Sequence, residues 1–180
     1  RIWVSRGDGS GTHTKEKNLW AKTEYTYAQI SIESWYASAG SSMSATLNMA
    51  NEFGAYTLSD TGTYLKLSKD GTISLVALIT ETKDLLNVYS VIAINQTRHP
   101  NVNFTNAMTL IKFLISDECQ QLIDDYGKSE YGQSLFHSAV QLLKQNSTSQ
   151  IVQWIKDYAF INGTECPSEY RDNRYPELYN

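Results

Sequence analysis

Three short extended stretches, Ile2 to Ser5, Trp35-Tyr36 and Ala55 to Leu58, each run into a turn of small residues and then into helical spacing. That repeated order constrains the fold more than any other feature, because strands alternating with helices build an α/β architecture. The turns are Ser10-Gly11-Thr12, Ser41-Ser42 and Thr61-Gly62-Thr63. A helix beginning leaves N–H groups without intrahelical partners, and the helix dipole adds positive character there. Glycine lets a ligand approach the backbone closely, and hydroxyls add neutral donors. The richest of the three lies in SRGDGSGTH, residues 5–13, where Arg6 precedes Ser10-Gly11-Thr12 as a fixed positive fork. It points to small-anion binding, with ordinary capping open as the alternative; at the second and third starts, ordinary capping is the simpler account.

Further along, the spacing predicts helices over 12–25 (capped by Ser10 or Thr12), Met43 to Phe53 and Tyr64 to Leu67. After the turn Lys69-Asp70-Gly71, two strands are expected, Ile73 to Ile79 and Tyr89 to Asn95. Asn103 to Ile115 reads as an amphipathic helix with Ala107, Leu110, Ile111 and Leu114 on one face. A second helix, Asp117 to Tyr126, should stop at Gly127. Residues 145–149 read as a linker, Gln150 to Phe160 as a short helix, and Pro167 to Asn180 as a strap.

The 180 residues are 41% hydrophobic and 19% charged, an ordinary globular composition. A net charge of −4 argues against a nucleic-acid partner, which needs a basic surface. It leaves room for a small anion held by a local cluster of donors. No apolar run approaches the length of a membrane span. The opening Arg1-Ile2-Trp3-Val4 carries no signal-peptide pattern and reads as a strand already in progress, as in a fragment. Cys119 and Cys166 are too few for a disulfide framework; one bridge or two free thiols both fit. Sequons at Asn95, Asn103, Asn146 and Asn162 tilt the reading toward secretion.

Other constellations are weaker. Gly9-Ser10-Gly11 lacks the spacing of a nucleophile elbow, and His13 suits a cap contact better than a triad. No set of nucleophile, base and orienting group emerges, so an enzyme is not expected. Asp8-Gly9-Ser10 lacks the later acidic ligand of a calcium loop, and His99 and His137 have no partner at metal spacing. In Arg6-Gly7-Asp8, an adhesion tripeptide elsewhere, the aspartate is expected to pin the turn. Asp124-Asp125 reads as a solvated helix end.

The ordered series Ser5-Arg-Gly-Asp-Gly-Ser-Gly-Thr-His13, Trp35-Tyr36, Gly40-Ser-Ser-Met-Ser-Ala-Thr-Leu-Asn48 and Gly54-Ala-Tyr-Thr-Leu-Ser-Asp-Thr-Gly-Thr-Tyr64 resembles the tungstate-binding proteins of ABC importers. Tyr89 to Asn95, His99-Pro-Asn-Val-Asn103, Phe113 to Ser116 and Gly132 to Phe136 continue it. The resemblance covers roughly residues 3–136. It implies a periplasmic-binding-protein-like fold of the second type, with mixed sheets flanked by helices and a tungstate or molybdate ion clasped between two lobes. It implies that Arg6 and Thr12 contact the oxyanion, with Ser5, Ser10 and Gly11 as neighbours, and that no cofactor is needed. Residues 1–72 would be most of lobe 2, 73–136 a return to lobe 1, and 137–180 a C-terminal extension packing on the body.

Departures bear on the ligand. Gly9 stands where a polar residue is usual, Thr61 where arginine is frequent, and Cys119 where glycine is usual. Phosphate therefore stays open as the anion. Family members also carry a leading segment that forms much of lobe 1, so lobe 1 is expected to be incomplete here. The partners implied are the oxyanion, a second chain supplying that part of lobe 1 and, in a prokaryote, an ABC permease. The expected location is extracytoplasmic, periplasmic or secreted. The rival reading is a secreted structural or interaction protein reusing the fold.

Overall fold

The computed structural model describes residues 1–145, 148–160, 163 and 165–179. Two compact units form, Arg1–Ile79 and Thr80–Asn180.

The first unit is built on a parallel sheet of order β2-β1-β3, with β1 at Trp3–Ser5, β2 at Tyr36–Ser38 and β3 at Tyr56–Thr57. Trp3 stands opposite Tyr36 on one side and Tyr56 on the other. Strand side chains alternate between faces. Val4 therefore packs with Ala50 and Ala55 on one face, while Trp3 and Ser5 turn toward α1, Gly11–Trp20, on the other.

Helix α1 is capped by Ser10, whose side chain accepts from the His13 N–H, and it ends at Trp20, short of the 12–25 span expected from sequence. The chain turns instead, and Thr26 opens a four-residue helix, α2 (Tyr27–Ile30), through a reciprocal capping box with Gln29. Helix α3, Met43–Phe53, is capped by Ser42 and ended by Gly54 in the left-handed conformation. Its buried Met43, Leu47 and Ala50 follow the spacing of one helical face. Leu47 and Met43 form a core with Ile73, against which Tyr64 and Leu67 of α4 (Thr61–Lys69) pack.

The two strands expected at 73–79 and 89–95 do not form, because neither stretch meets a neighbouring strand. Ile73 is buried, yet Val76 and Leu78 are 76% and 72% exposed, and Ile92 is 85% exposed. Side chains take the place of a ladder. The Asn51 amide oxygen accepts from the Ser74 N–H at 2.8 Å. The Tyr64 hydroxyl donates to the Leu75 carbonyl (3.2 Å) and accepts from the Ala77 N–H (3.3 Å).

The second unit is helical among its described residues: α5 (Phe104–Leu114), α6 (Asp117–Asp125), α7 (Lys128–Tyr131), α8 (Ala139–Lys144) and α9 (Gln150–Ala159). Its core is Leu143, Val152 and Ile155, against which Leu86 and the C-terminal Leu178 also pack. Gln120, buried, donates to the Leu114 carbonyl and accepts from the Val140 N–H, tying the end of α5 to the start of α8. The apolar face expected for α5 has formed, but none of its residues is buried. Lys128 pairs with Asp124 (2.8 Å) and Asp125 (3.0 Å) at the solvated end of α6. Cys119 and Cys166 are free thiols, and burial raises the Cys166 pKa. Of the sequons, Asn95 and Asn103 are exposed; Asn146 and Asn162 lie outside the described residues.

Leu47→Ala removes a side chain that is 1% exposed within a filled core. Its expected cost is about 2–5 kcal/mol, read as a lower urea midpoint with an unchanged slope.

Candidate functional site

Parallel pairing places the C-terminal ends of all three strands at one edge of the sheet, and each strand then feeds a helix: β1 to α1, β2 to α3, β3 to α4. This edge is where ligands sit in open α/β sheets. The turn carrying Arg6 follows the central strand and so lies between the other two.

Backbone contacts fix that turn. The Ala39 N–H donates to the Ser5 carbonyl at 2.9 Å and the Ser41 N–H to the Arg6 carbonyl at 3.3 Å, which carries the β1–β2 pairing past the strand ends. Gly7 has a φ of +63°, and a Cβ there would lie 1.9 Å from Ser38 Oγ. Only glycine fits. Asp8 accepts from the Ser10 N–H at 3.0 Å, and Arg6 Nε lies 2.8 Å from the other Asp8 oxygen. The Ser10 hydrogen bonds, followed by the charge of Arg6, lower the Asp8 pKa, so Asp8 is the pin that the tripeptide predicts.

The five residues singled out from sequence lie within one strand-to-helix turn and the start of α1, but they are not equivalent. Arg6 sits in its ion pair with the side chain 24% exposed, so an arriving anion would have to share the guanidinium with Asp8. Ser10 is engaged as the cap of α1. Gly11 is exposed and Thr12 half-buried in the first helical turn, where no carbonyl of the helix reaches their N–H groups. Ser5 is fully buried and donates its hydroxyl proton to Glu16 Oε2 at 2.7 Å, behind the turn. The other helix starts carry caps of the same kind, Ser42 accepting from the Ala45 N–H and Asp60 from the Thr63 N–H, but no arginine precedes them. A carboxylate at the third start disfavours a second anion site there.

Behind the turn lies a buried polar cluster that residue spacing alone did not single out. Glu16, 1% exposed, accepts from the indole N–H of Trp3 (2.9 Å), Ser5 (2.7 Å) and the Tyr36 hydroxyl (2.6 Å). Burial first, and then the bond to Glu16, push the Tyr36 phenol well above its ordinary pKa, so it stays a donor. His13 Nδ1 accepts from the Gly9 N–H at 3.0 Å, and Nε2 lies 3.0 Å from the Tyr27 hydroxyl. Since Nδ1 is an acceptor, neutral His13 carries its proton on Nε2 and donates to Tyr27. The available signal was a glutamate on the inward stripe of α1, three residues after His13 and four before Trp20. Among the described residues no group of His, Cys, Asp and Glu is arranged to hold a metal, and no helix is long and apolar enough to cross a membrane.

Residues 2–118 match the model of the PBP superfamily domain. The chain is 39% identical over 134 residues to the tungstate-binding protein TupA of Peptoclostridium acidaminophilum, covering 74% of this chain and 45% of that protein. It is 38% identical over 126 residues to TupA of Campylobacter jejuni, covering 69% and 46%. Among solved structures, the tungstate-binding protein TupA of Desulfovibrio alaskensis G20 is similar at a TM-score of 0.66 and 38% identity, over 76% of this chain and 54% of that one. The chain thus spans about half the length of the relatives it matches. A matched family model across the parallel sheet, its helix starts and the Arg6 turn places the family beyond doubt: the chain belongs to the PBP superfamily.

Proposed function

We propose that this protein is an extracytoplasmic solute-binding protein, or part of one, that captures a tetrahedral oxyanion without chemical turnover. The observation that carries the proposal is the sheet edge at which the turn holding Arg6 leads into the first turn of α1, where the Gly11 and Thr12 N–H groups have no acceptor within the helix. A dianion is recognised by several converging donors, one of them charged. Gly11 and Thr12 supply neutral donors and Arg6 the charge, with Ser10 capping α1 and Ser5 bonded to Glu16 behind the turn. The relatives' name, tungstate-binding protein, favours tungstate or molybdate as the ion. Phosphate is the competing anion, because Thr61 offers no positive charge. No cofactor, catalysis or nucleic acid belongs to this reading, and in a prokaryote the partner would be an ABC permease.

In this proposal residues 1–72 are most of lobe 2, 73–136 return to lobe 1, and 137–180 are an extension. The exposed apolar side chains of Val76, Leu78, Ile79, Tyr89 and Ile92 support a further strand-bearing segment or second chain that completes lobe 1. Native material should then exceed 20.3 kDa in mass when measured intact and without denaturation. A stable, monodisperse species of that single-chain mass overturns this completion.

Arg6→Ala should lower tungstate affinity by about a hundredfold in titration calorimetry while leaving the near-ultraviolet circular dichroism unchanged. Unchanged affinity refutes the role of Arg6. If neither tungstate, molybdate nor phosphate raises the melting temperature of the unaltered protein, the rival reading, a secreted structural or interaction protein, prevails.

A further inference from the structure

The Arg6 turn is held at both of its ends by buried side chains of α1. At its start, Ser5 donates to Glu16 Oε2. At its far side, the Gly9 N–H donates to His13 Nδ1. Between these anchors run His13 Nε2 to the Tyr27 hydroxyl, the Tyr27 and Tyr36 rings packed edge to face at 6.1 Å, and the Tyr36 hydroxyl to Glu16 Oε1. With Nε2–H donating to Tyr27 and Nδ1 accepting from Gly9, both ring nitrogens of His13 are engaged, while Ser5 and Tyr36 each donate their single proton to Glu16. His13 and Glu16 are 7% and 1% exposed, so water cannot readily substitute for these partners.

We propose that His13 and Glu16 are positioning residues for the anion turn: Glu16 fixes Ser5 at its start, and His13, kept in one tautomer by Tyr27, fixes Gly9. Neither touches the ligand. The consequence for binding is preorganisation, since a turn already held in the receptive shape loses less freedom when the anion arrives. This inference rests on the oxyanion reading for its effect on affinity, but its structural core, the hold on Gly9, can be measured without any ligand.

The test uses two substitutions that divide the histidine's functions. In His13→Asn the side-chain amide occupies the place of Nδ1 and can still accept from Gly9. In His13→Gln the amide reaches the place of Nε2 and leaves Gly9 without its acceptor. Two readouts are taken on the full 180-residue chain: sodium tungstate affinity by calorimetry, and amide hydrogen exchange at Gly9 by NMR in the absence of anion. His13→Gln is expected to weaken tungstate about tenfold and to lose protection at Gly9. His13→Asn is expected to keep affinity within about threefold and to keep that protection. Should His13→Gln fail to fold, Tyr27→Phe, which removes only the hydroxyl that orients the ring, should likewise raise Gly9 exchange.

Unchanged Gly9 exchange in His13→Gln, or equal loss of protection in both histidine variants, overturns the proposal. If the unaltered protein binds no tungstate, the oxyanion reading fails, and the Gly9 exchange pattern alone still decides whether His13 holds the turn.

Discussion

A carboxylate that is 1% exposed must be solvated by protein, and Glu16 is solvated by three donors from two strands. Trp3 and Ser5 come from β1 and Tyr36 from β2, so the carboxylate fastens α1 to the sheet and also ties adjacent strands to each other. A leucine in its place would bury area but leave the Ser5 hydroxyl, the Tyr36 phenol and the Trp3 indole N–H without an acceptor. The polar contact is therefore specific where a purely apolar one would be permissive. It fixes both the height of α1 along β1 and the rotation of its inward stripe, and with them the place where the helix begins.

That starting point is what unit 1 has to offer chemically. Three parallel strands bring three helix starts to one edge, and the sequence treats the three differently. All three are capped by a serine or an aspartate, and two have nothing further. The first combines a capped start with Arg6, an aspartate that holds Arg6 in place, and a glycine packed against Ser38. Shared topology supplies proximity, while side-chain chemistry decides which start can receive an anion.

Much of this was legible in the residues. The repeated strand, small-residue turn and helix announce the α/β architecture, and the helical spacing of Met43 to Phe53 matches α3. The pinning role of Asp8 followed from its place in a turn. Where the reading failed, the missing information was non-local. Ile73 to Ile79 and Tyr89 to Asn95 have strand composition, but a strand is defined by its neighbour, and composition carries no information about whether one is present. The overlong first helix came from apolar spacing that continues past Trp20, where the Thr26–Gln29 capping box starts a new helix instead. The apolar stripe of α5 was read correctly, yet a stripe does not reveal what covers it. Ser5 adjoins Arg6 in sequence, and that adjacency does not reveal that its hydroxyl is bonded to Glu16, eleven residues on.

The indoles of unit 1 add an optical property to this arrangement. Trp3 and Trp20 meet edge to face at 5.3 Å, and Trp20 and Trp35 lie 5.8 Å apart. At such separations the rings do not absorb and emit as isolated chromophores, and excitation passes among them. One end of this array, Trp3, is bonded to the carboxylate that also holds Ser5 and Tyr36. A rearrangement of Ser5 at the start of the Arg6 turn therefore changes the electric field across an indole, and unit 1 carries its own intrinsic reporter of the state of that turn.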